Sequence, residues 1–352
     1  MLRSRVKCAK ESGMAQFRTL TADDVREILE SFAGSSGAAP AYRSHAPVAA
    51  GTINTNVRVE TADGTLFLRI NEGKTTDDVA REAAIVAHAA AHGVPTPAPL
   101  RTRAGEPFAV WKGALASVFP WVPGRTLSRA DVTPAHAALV GRALASLHLA
   151  SAGFTDHRPG RYEPDEIRRR AAHVAGLARP ELMGAATVLG LALDGLEHER
   201  AATLPTGLIH GDLFIDNVLY ADNVLYADGP APGGQPRLAA LLDFEQASWG
   251  RLAYDLAVTT LAFAYGRDDF RADVTRALLE AYASVRAPTE LERHAFGAEL
   301  RFAACRFAVT RITDVHLKRD AGAPGGKDFR RYLARLGSVE VHLATRDGLL
   351  DL

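Results

Sequence analysis

Leu208-Ile-His-Gly-Asp-Leu-Phe-Ile-Asp-Asn-Val-Leu-Tyr220, answered further on by Leu241-Leu-Asp-Phe-Glu245, places polar residues at the ends of apolar runs. Leu208-Ile209 leads into His210, and Leu-Ala-Ala-Leu-Leu leads into Asp243. The pattern predicts two buried segments, each ending in a polar cluster where a rigid scaffold can hold it. His210, Asp212 and Asn217 fall in the spacing H-x-D-x-x-x-x-N.

With Asp-Phe following, this spacing matches the arrangement that kinases use for phosphoryl transfer. In-line transfer needs a carboxylate to orient the acceptor hydroxyl and oxygen ligands to hold Mg²⁺ against the phosphates. Asp212 suits the first task. Asn217 and Asp243 suit the second, because Mg²⁺ is hard and oxygen-seeking and takes one or two protein carboxylates. His210 is expected to brace the loop. The alternative of ordinary loop polars would require both motifs to coincide by chance.

The chain has 352 residues, 47% hydrophobic and 23% charged, enough for two domains or lobes. Lys plus Arg (41) equals Asp plus Glu (41), so overall charge points to neither nucleic acid nor a membrane surface. A small-molecule substrate is the better expectation. Cys8 and Cys305 stand too far apart for a disulfide framework or a zinc site, which suits reduced thiols and a cytoplasmic address. The basic opening Met1–Lys10 has no apolar run behind it, and residues 1–13 are read as a disordered extension with Met14 starting the folded protein.

From Met14 the expected class is α+β, with a β-rich N-lobe over 14–122 and a mostly helical C-lobe over 123–352. Thr21 and Asp24 form a capping box ahead of Val25, Ile28, Leu29 and Phe32. Residues 56–60 and 66–70 read as strands joined by Ala62-Asp-Gly64. Ala49 to Asn56 contains Gly51, which allows backbone N–H groups to approach nucleotide phosphates. Thr75 starts a long helix whose Glu82 can reach Arg69, either as a kinase strand lysine pairs with a helix glutamate or as an ordinary surface ion pair. Gly73-Lys-Thr75 imitates the end of a Walker A loop, but Leu68 occupies the position of its first glycine.

After Val94-Pro-Thr-Pro-Ala-Pro99, two more strands are expected around 108–111 and 115–122. By analogy the backbone from Phe119 to Val122 can meet an adenine edge. Thr133-Pro134 opens a helix through His148, read as a hydrogen-bonded core histidine. Asp255, charged on an otherwise apolar helix, is read as a buried brace for the catalytic loop. Asp216–Ala221 recurs unchanged as Asp222–Ala227, so two asparagines compete for one metal position. Counting from Asp212 selects Asn217 over Asn223, and the six-residue copy is read as a tolerated insertion that preserves strand alternation.

The blocks Gly141–Ser151, His210–Tyr220 and Leu241–Val258 resemble the aminoglycoside phosphotransferase and choline kinase superfamily, which implies a two-lobed, protein-kinase-like fold. Gly51-Thr-Ile-Asn-Thr-Asn56, Arg306–Leu317 and Lys327–Tyr332 resemble its homoserine kinase branch. The resemblance implies ATP and Mg²⁺ as cofactors, Asp212 as catalytic base, Asn217 and Asp243 as metal ligands, and the Gly51 loop with Asn54 over the phosphates. It implies an amino-alcohol acceptor, homoserine, used in threonine biosynthesis. Other small alcohols, such as an aminoglycoside or a choline-like compound, are the alternative, and a silent nucleotide-binding regulator a more remote one because Arg69 replaces the usual lysine. Departures are the long interval between Asp212 and Asp243 and the Glu245-Gln pair after Asp-Phe. Asp216 and Glu245 are candidates for the acceptor ammonium, and Arg306 and Arg311 for its carboxylate, unless Arg311 simply pairs with Asp314.

Overall fold

The computed structural model describes residues 18–34, 37–48, 54–200, 203–221, 236–318 and 327–352. The extension 1–13, Gly51 and the second repeat copy with Asn223 lie outside these residues. The chain divides into two compact units: the first holds the residues up to Ala87 and Pro97–Trp121, the second His88–Thr96 and Val122–Leu352.

In the first unit, helix α1 (Ala22–Glu30) starts at Thr21, whose side chain and that of Asp24 close the capping box. Strands β1 (Tyr42–Pro47), β2 (Thr55–Thr61) and β3 (Gly64–Asn71) precede α2 (Thr76–Ala91), and β4 (Ala109–Trp111) and β5 (Ala114–Pro120) complete an antiparallel sheet in the order β1-β2-β3-β5-β4. Alternation sends Val57, Val59, Leu68, Ile70, Ala116 and Val118 to one face, which packs with Val25, Ile28 and Leu29 of α1 and with Phe32 just beyond it. The opposite pleat carries Phe67, Arg69 and Phe119. Strand β1 was not expected as such, because Tyr-Arg-Ser-His-Ala-Pro is a half-exposed edge with little apolar alternation.

The second unit holds α3 (Pro134–Leu149), α4 (Pro164–Gly176), α5 (Pro180–Glu199), β6 (Thr206–Ile209), β7 (Val218–Ala221), β8 (Arg237–Leu241), β9 (Ser248–Arg251), α6 (Leu252–Phe263), α7 (Ala272–Val285), α8 (Glu290–Asp314) and α9 (Arg330–Thr345). Two short antiparallel pairs, β6 with β9 and β7 with β8, carry the loops that matter for chemistry. Residues 210–217 join β6 to β7, and Asp243 stands two residues after β8. Every residue of α6 is buried, as is most of α8. Helices α3 and α7 meet at Gly141, where a Cβ would stand 2.3 Å from the Leu278 carbonyl oxygen, so only glycine permits that approach. The expected α+β class is the one observed.

Candidate active site

Asp255 is the one charged residue of α6 and is fully buried. Isolated burial of a carboxylate would cost several kcal/mol, so partners are required. The Asp255 Oδ2 accepts from the His210 N–H at 2.7 Å and Oδ1 accepts from the Gly211 N–H at 2.8 Å. His148 Nε2 lies 3.1 Å from Oδ2, and His148 Nδ1 lies 2.7 Å from the Tyr282 hydroxyl, which accepts from Arg286 Nη1 at 3.0 Å. The donors match the acceptors when Nε2 carries the imidazole proton and Tyr282 donates to Nδ1. Burial raises the Asp255 carboxyl most strongly, yet the hydrogen bonds from His148 and from the His210 N–H outweigh it and hold the group below its ordinary value.

This brace fixes the backbone just ahead of Asp212. Gly211 has φ +74°, and a Cβ there would stand 2.8 Å from the Gln246 carbonyl oxygen. His210 Nε2 donates to the Leu242 carbonyl oxygen at 2.9 Å, with its ring 4.7 Å from that of Phe244. Asn217 Nδ2 donates to the Asp212 carbonyl oxygen at 2.8 Å, and the Leu242 N–H donates to the Asn217 carbonyl oxygen at 2.9 Å. The loops bearing Asp212, Asn217 and Asp243 are therefore fastened together by hydrogen bonds to backbone carbonyl oxygens. Asp243 adopts φ 62° and ψ 64°, an uncommon conformation for a non-glycine residue, of the kind that collects at functional sites.

The Asp212 side chain is about one-third exposed, and its Oδ1 lies 3.3 Å from Arg306 Nη1. Arg306 is nearly buried, with its guanidinium 4.3 Å from the Tyr162 ring and 3.7 Å from the Phe307 ring. Arg306, a candidate for the substrate carboxylate, engages Asp212 on the loop after β6. A cavity of about 250 Å³ adjoins this pair, lined by Gly211, Gln246, Glu163, Tyr254 and Arg306 among others. Arg311 does not pair with Asp314, which Arg170 takes at 2.8 Å; Arg311 donates to the Asp328 carbonyl oxygen at 3.2 Å. Asp216 is exposed in the turn Ile215–Asn217, and Glu245 lies in the turn Phe244–Gln246.

In the first unit, Glu82 receives both Arg69 Nη1 at 2.8 Å and Lys74 Nζ at 2.9 Å. The three side chains are only 11–15% exposed, which removes the ordinary surface ion pair as a description. Burial opposes ionisation of Glu82 most strongly, but the two cations hold its carboxyl below its ordinary value. Lys74 belongs to the sequence that imitated a Walker A loop, and its observed partner is Glu82. Asn54 Oδ1 accepts from the Glu72 N–H at 3.2 Å. Phe119 lies in β5 with its ring 6.2 Å from that of Phe67, and Val122 begins the chain's return to the second unit.

Among the described residues no cluster of three or more His, Cys, Asp or Glu could hold a metal. A carboxylate and an amide oxygen are nevertheless the donor types that Mg²⁺ accepts beside phosphate oxygens. With Asn217 Nδ2 donating to the Asp212 carbonyl oxygen, Oδ1 is the atom of Asn217 that could ligate a cation. The residues present fit the ion.

The phosphotransferase enzyme family profile matches residues 44–294. The chain belongs to this family. Two homoserine kinases are 32% and 33% identical to it: that of Rhodopseudomonas palustris strain HaA2 over 95% of this chain and 97% of its own length, and that of Nitrobacter winogradskyi over 92% and 94%. Among solved structures, a spectinomycin phosphotransferase in complex with ADP and spectinomycin superposes with a TM-score of 0.63 at 13% identity, covering 94% of this chain and 99% of that one. A choline/ethanolamine kinase family protein from Mesorhizobium loti gives 0.60 at 22%, covering 91% and 93%. At these identities the likeness shows the fold. The family makes this chain an ATP-dependent phosphotransferase.

Sequence reading missed Tyr282 and Arg286, which back the brace, and Tyr332 and Arg335 on α9. The last two carried a legible signal. Arg335 shares the buried stripe of α9 with Tyr332, Leu336 and Val339, a position where an arginine calls for an explanation.

Proposed function

We propose that this protein transfers the γ-phosphoryl group of ATP to the side-chain hydroxyl of homoserine, with Mg²⁺ held by Asn217 and Asp243. Homoserine is carried by one observation: relatives 30–33% identical over most of both chains are homoserine kinases. The reaction rests on the braced loop.

In this reading Asp212 accepts the hydroxyl proton as the oxygen attacks, and Arg306 fixes the rotamer of its carboxylate. The brace on Asp255 keeps the loop from relaxing, so Asp212 needs no rearrangement to meet the hydroxyl. The ion, when bound, neutralises charge on the phosphates. The first unit is the nucleotide-binding part, with the Gly51 loop, Asn54, Arg69 on Glu82, and the Phe119–Val122 backbone assigned to ATP. Asp216 and Glu245 are assigned to the acceptor ammonium. A cytoplasmic address goes with this reading; the Cys305 thiol is buried and pushed up to about 12, a value that keeps it protonated.

An ADP-release assay over a panel of amino alcohols, aminoglycosides and choline tests the acceptor, with homoserine expected to give the highest kcat/KM. ADP formation with choline or an aminoglycoside and none with homoserine would reject it. Asp212→Ala tests the chemistry, with an expected loss of about 10²–10⁴-fold in kcat.

A further inference from the structure

Beside Asp212 lies a group of arginines that no carboxylate neutralises among the described residues. Arg311 and Arg335 flank the Tyr332 ring, their guanidinium carbons 4.4 Å and 4.3 Å from its centroid. Partial burial, with Arg335 and Arg331 close by, pushes Arg129 down to about 10. Burial likewise lowers Arg311 and Arg335. Arg129 donates only to the Ala262 and Tyr265 carbonyl oxygens, Arg311 only to that of Asp328, and Arg335 to that of Arg331 at a long 3.4 Å.

Two buried polar atoms at this place have no hydrogen-bond partner. The Tyr332 hydroxyl and Arg335 Nε are both orphaned, on residues 0% and 4% exposed. Orphaned buried donors beside like charges are expensive, and an anion is the kind of partner both lack. Of the arginines lining the cavity beside Gly211, Arg200 and Arg251 are held by Glu299 and Arg306 by Asp212, although Arg306 Nε has no partner, and Arg161 is exposed. The buried arginine that no carboxylate holds among the described residues, Arg335, lies on the α8–α9 side.

We propose that Arg311, Arg335 and the Tyr332 hydroxyl form the site for the carboxylate of the acceptor, with Arg129 adding to its positive field. This inference rests on the homoserine reading and moves the anchor from Arg306 to α9. The Asp212 charge acts on both Arg311 and Tyr332, which puts base and anchor in one neighbourhood. The Tyr332 ring also stacks on Phe307 at 5.0 Å, the residue after Arg306, so one packed row links anchor to base clamp. Homoserine spans roughly 5 Å from its hydroxyl oxygen to its carboxylate carbon, with bonds of about 1.5 Å. It is thus long enough to be held at one end while reacting at the other.

The test compares L-homoserine with 3-aminopropan-1-ol, which keeps hydroxyl and ammonium but lacks the carboxylate. Arg311→Gln, Arg335→Gln and Tyr332→Phe are assayed beside the wild type by ADP release, with circular dichroism to verify folding. Each Arg variant is expected to lower the ratio of kcat/KM for homoserine over 3-aminopropan-1-ol by about tenfold or more, mainly through KM; Tyr332→Phe, which keeps the ring, is expected to lower it a few-fold. An unchanged ratio, or an equal fall for both acceptors, overturns the site. Wild-type enzyme inert towards homoserine overturns the acceptor assignment and this inference with it, whereas homoserine turnover with an unchanged ratio overturns this inference alone.

Discussion

Asp255 accepts hydrogen bonds from two consecutive backbone N–H groups, those of His210 and Gly211, and so closes the turn that delivers Asp212. Asp255→Asn keeps the shape but replaces one acceptor oxygen with a donor, which faces either a backbone N–H or His148. It is expected to lose about 3–5 kcal/mol, the usual cost of breaking a buried charged pair, and to lower kcat in the molecules that still fold. Urea unfolding and single-turnover rates on the same preparations measure the two effects.

Gly211→Ala tests the same turn through its backbone. The methyl would stand 2.8 Å from a carbonyl oxygen in a conformation with φ +74°. The strain is expected to cost about 1–3 kcal/mol and to displace Asp212. The prediction is a fall in kcat larger than any rise in KM for ATP, read from initial-rate kinetics.

Gly141→Ala is the contrasting case, because it strains the packing of α3 on α7 and leaves the catalytic loop alone. With a Cβ 2.3 Å from the Leu278 carbonyl oxygen, the helices must separate. An overpacking cost of about 1–3 kcal/mol is expected, with kcat per folded molecule close to wild type. Thermal unfolding followed by activity normalised to the folded fraction checks it.

His342 gives the pH prediction. Its ring lies between Asp347 at 2.5 Å and Asp269 at 3.0 Å. Burial lowers its pKa most strongly, but the two carboxylates outweigh burial and raise it above the ordinary 6.5. A group raised in the folded state contributes its full stability below the unfolded value and loses it as pH rises through the folded value. Stability from this pair is therefore complete below about pH 6 and declines from pH 6.5 upwards; His342→Gln should flatten that decline. Urea titrations at pH 6 and pH 8.5 on both proteins decide it.

Local sequence made much of the fold legible. The Thr21–Asp24 box, the alternation of Val57, Val59, Leu68 and Ile70, and the spacing of α3 to α9 are short-range patterns that record one face at a time. Edge strand β1 escaped because its residues bury no continuous face. Pairing also misled: Arg311 and Asp314 stand three apart on one helix, yet Arg170 from α4 captures Asp314 and leaves Arg311 to α9. Helical spacing permits a pair, but neighbouring elements decide whether it forms.

By itself the sequence singled out Asp212, Asn217 and Asp243 as candidates for base and metal ligands, since their spacing along a loop and their positions after apolar runs are local properties. Tertiary structure alone decided what surrounds them. Asp255 reaches the loop across 45 residues, Arg306 reaches Asp212 across 94, and Tyr332 and Arg335 meet Arg311 only because α9 packs on α8. Burial is the physical reason: a charged side chain taken from water must find partners wherever packing brings them, and periodicity carries no record of which distant element that will be.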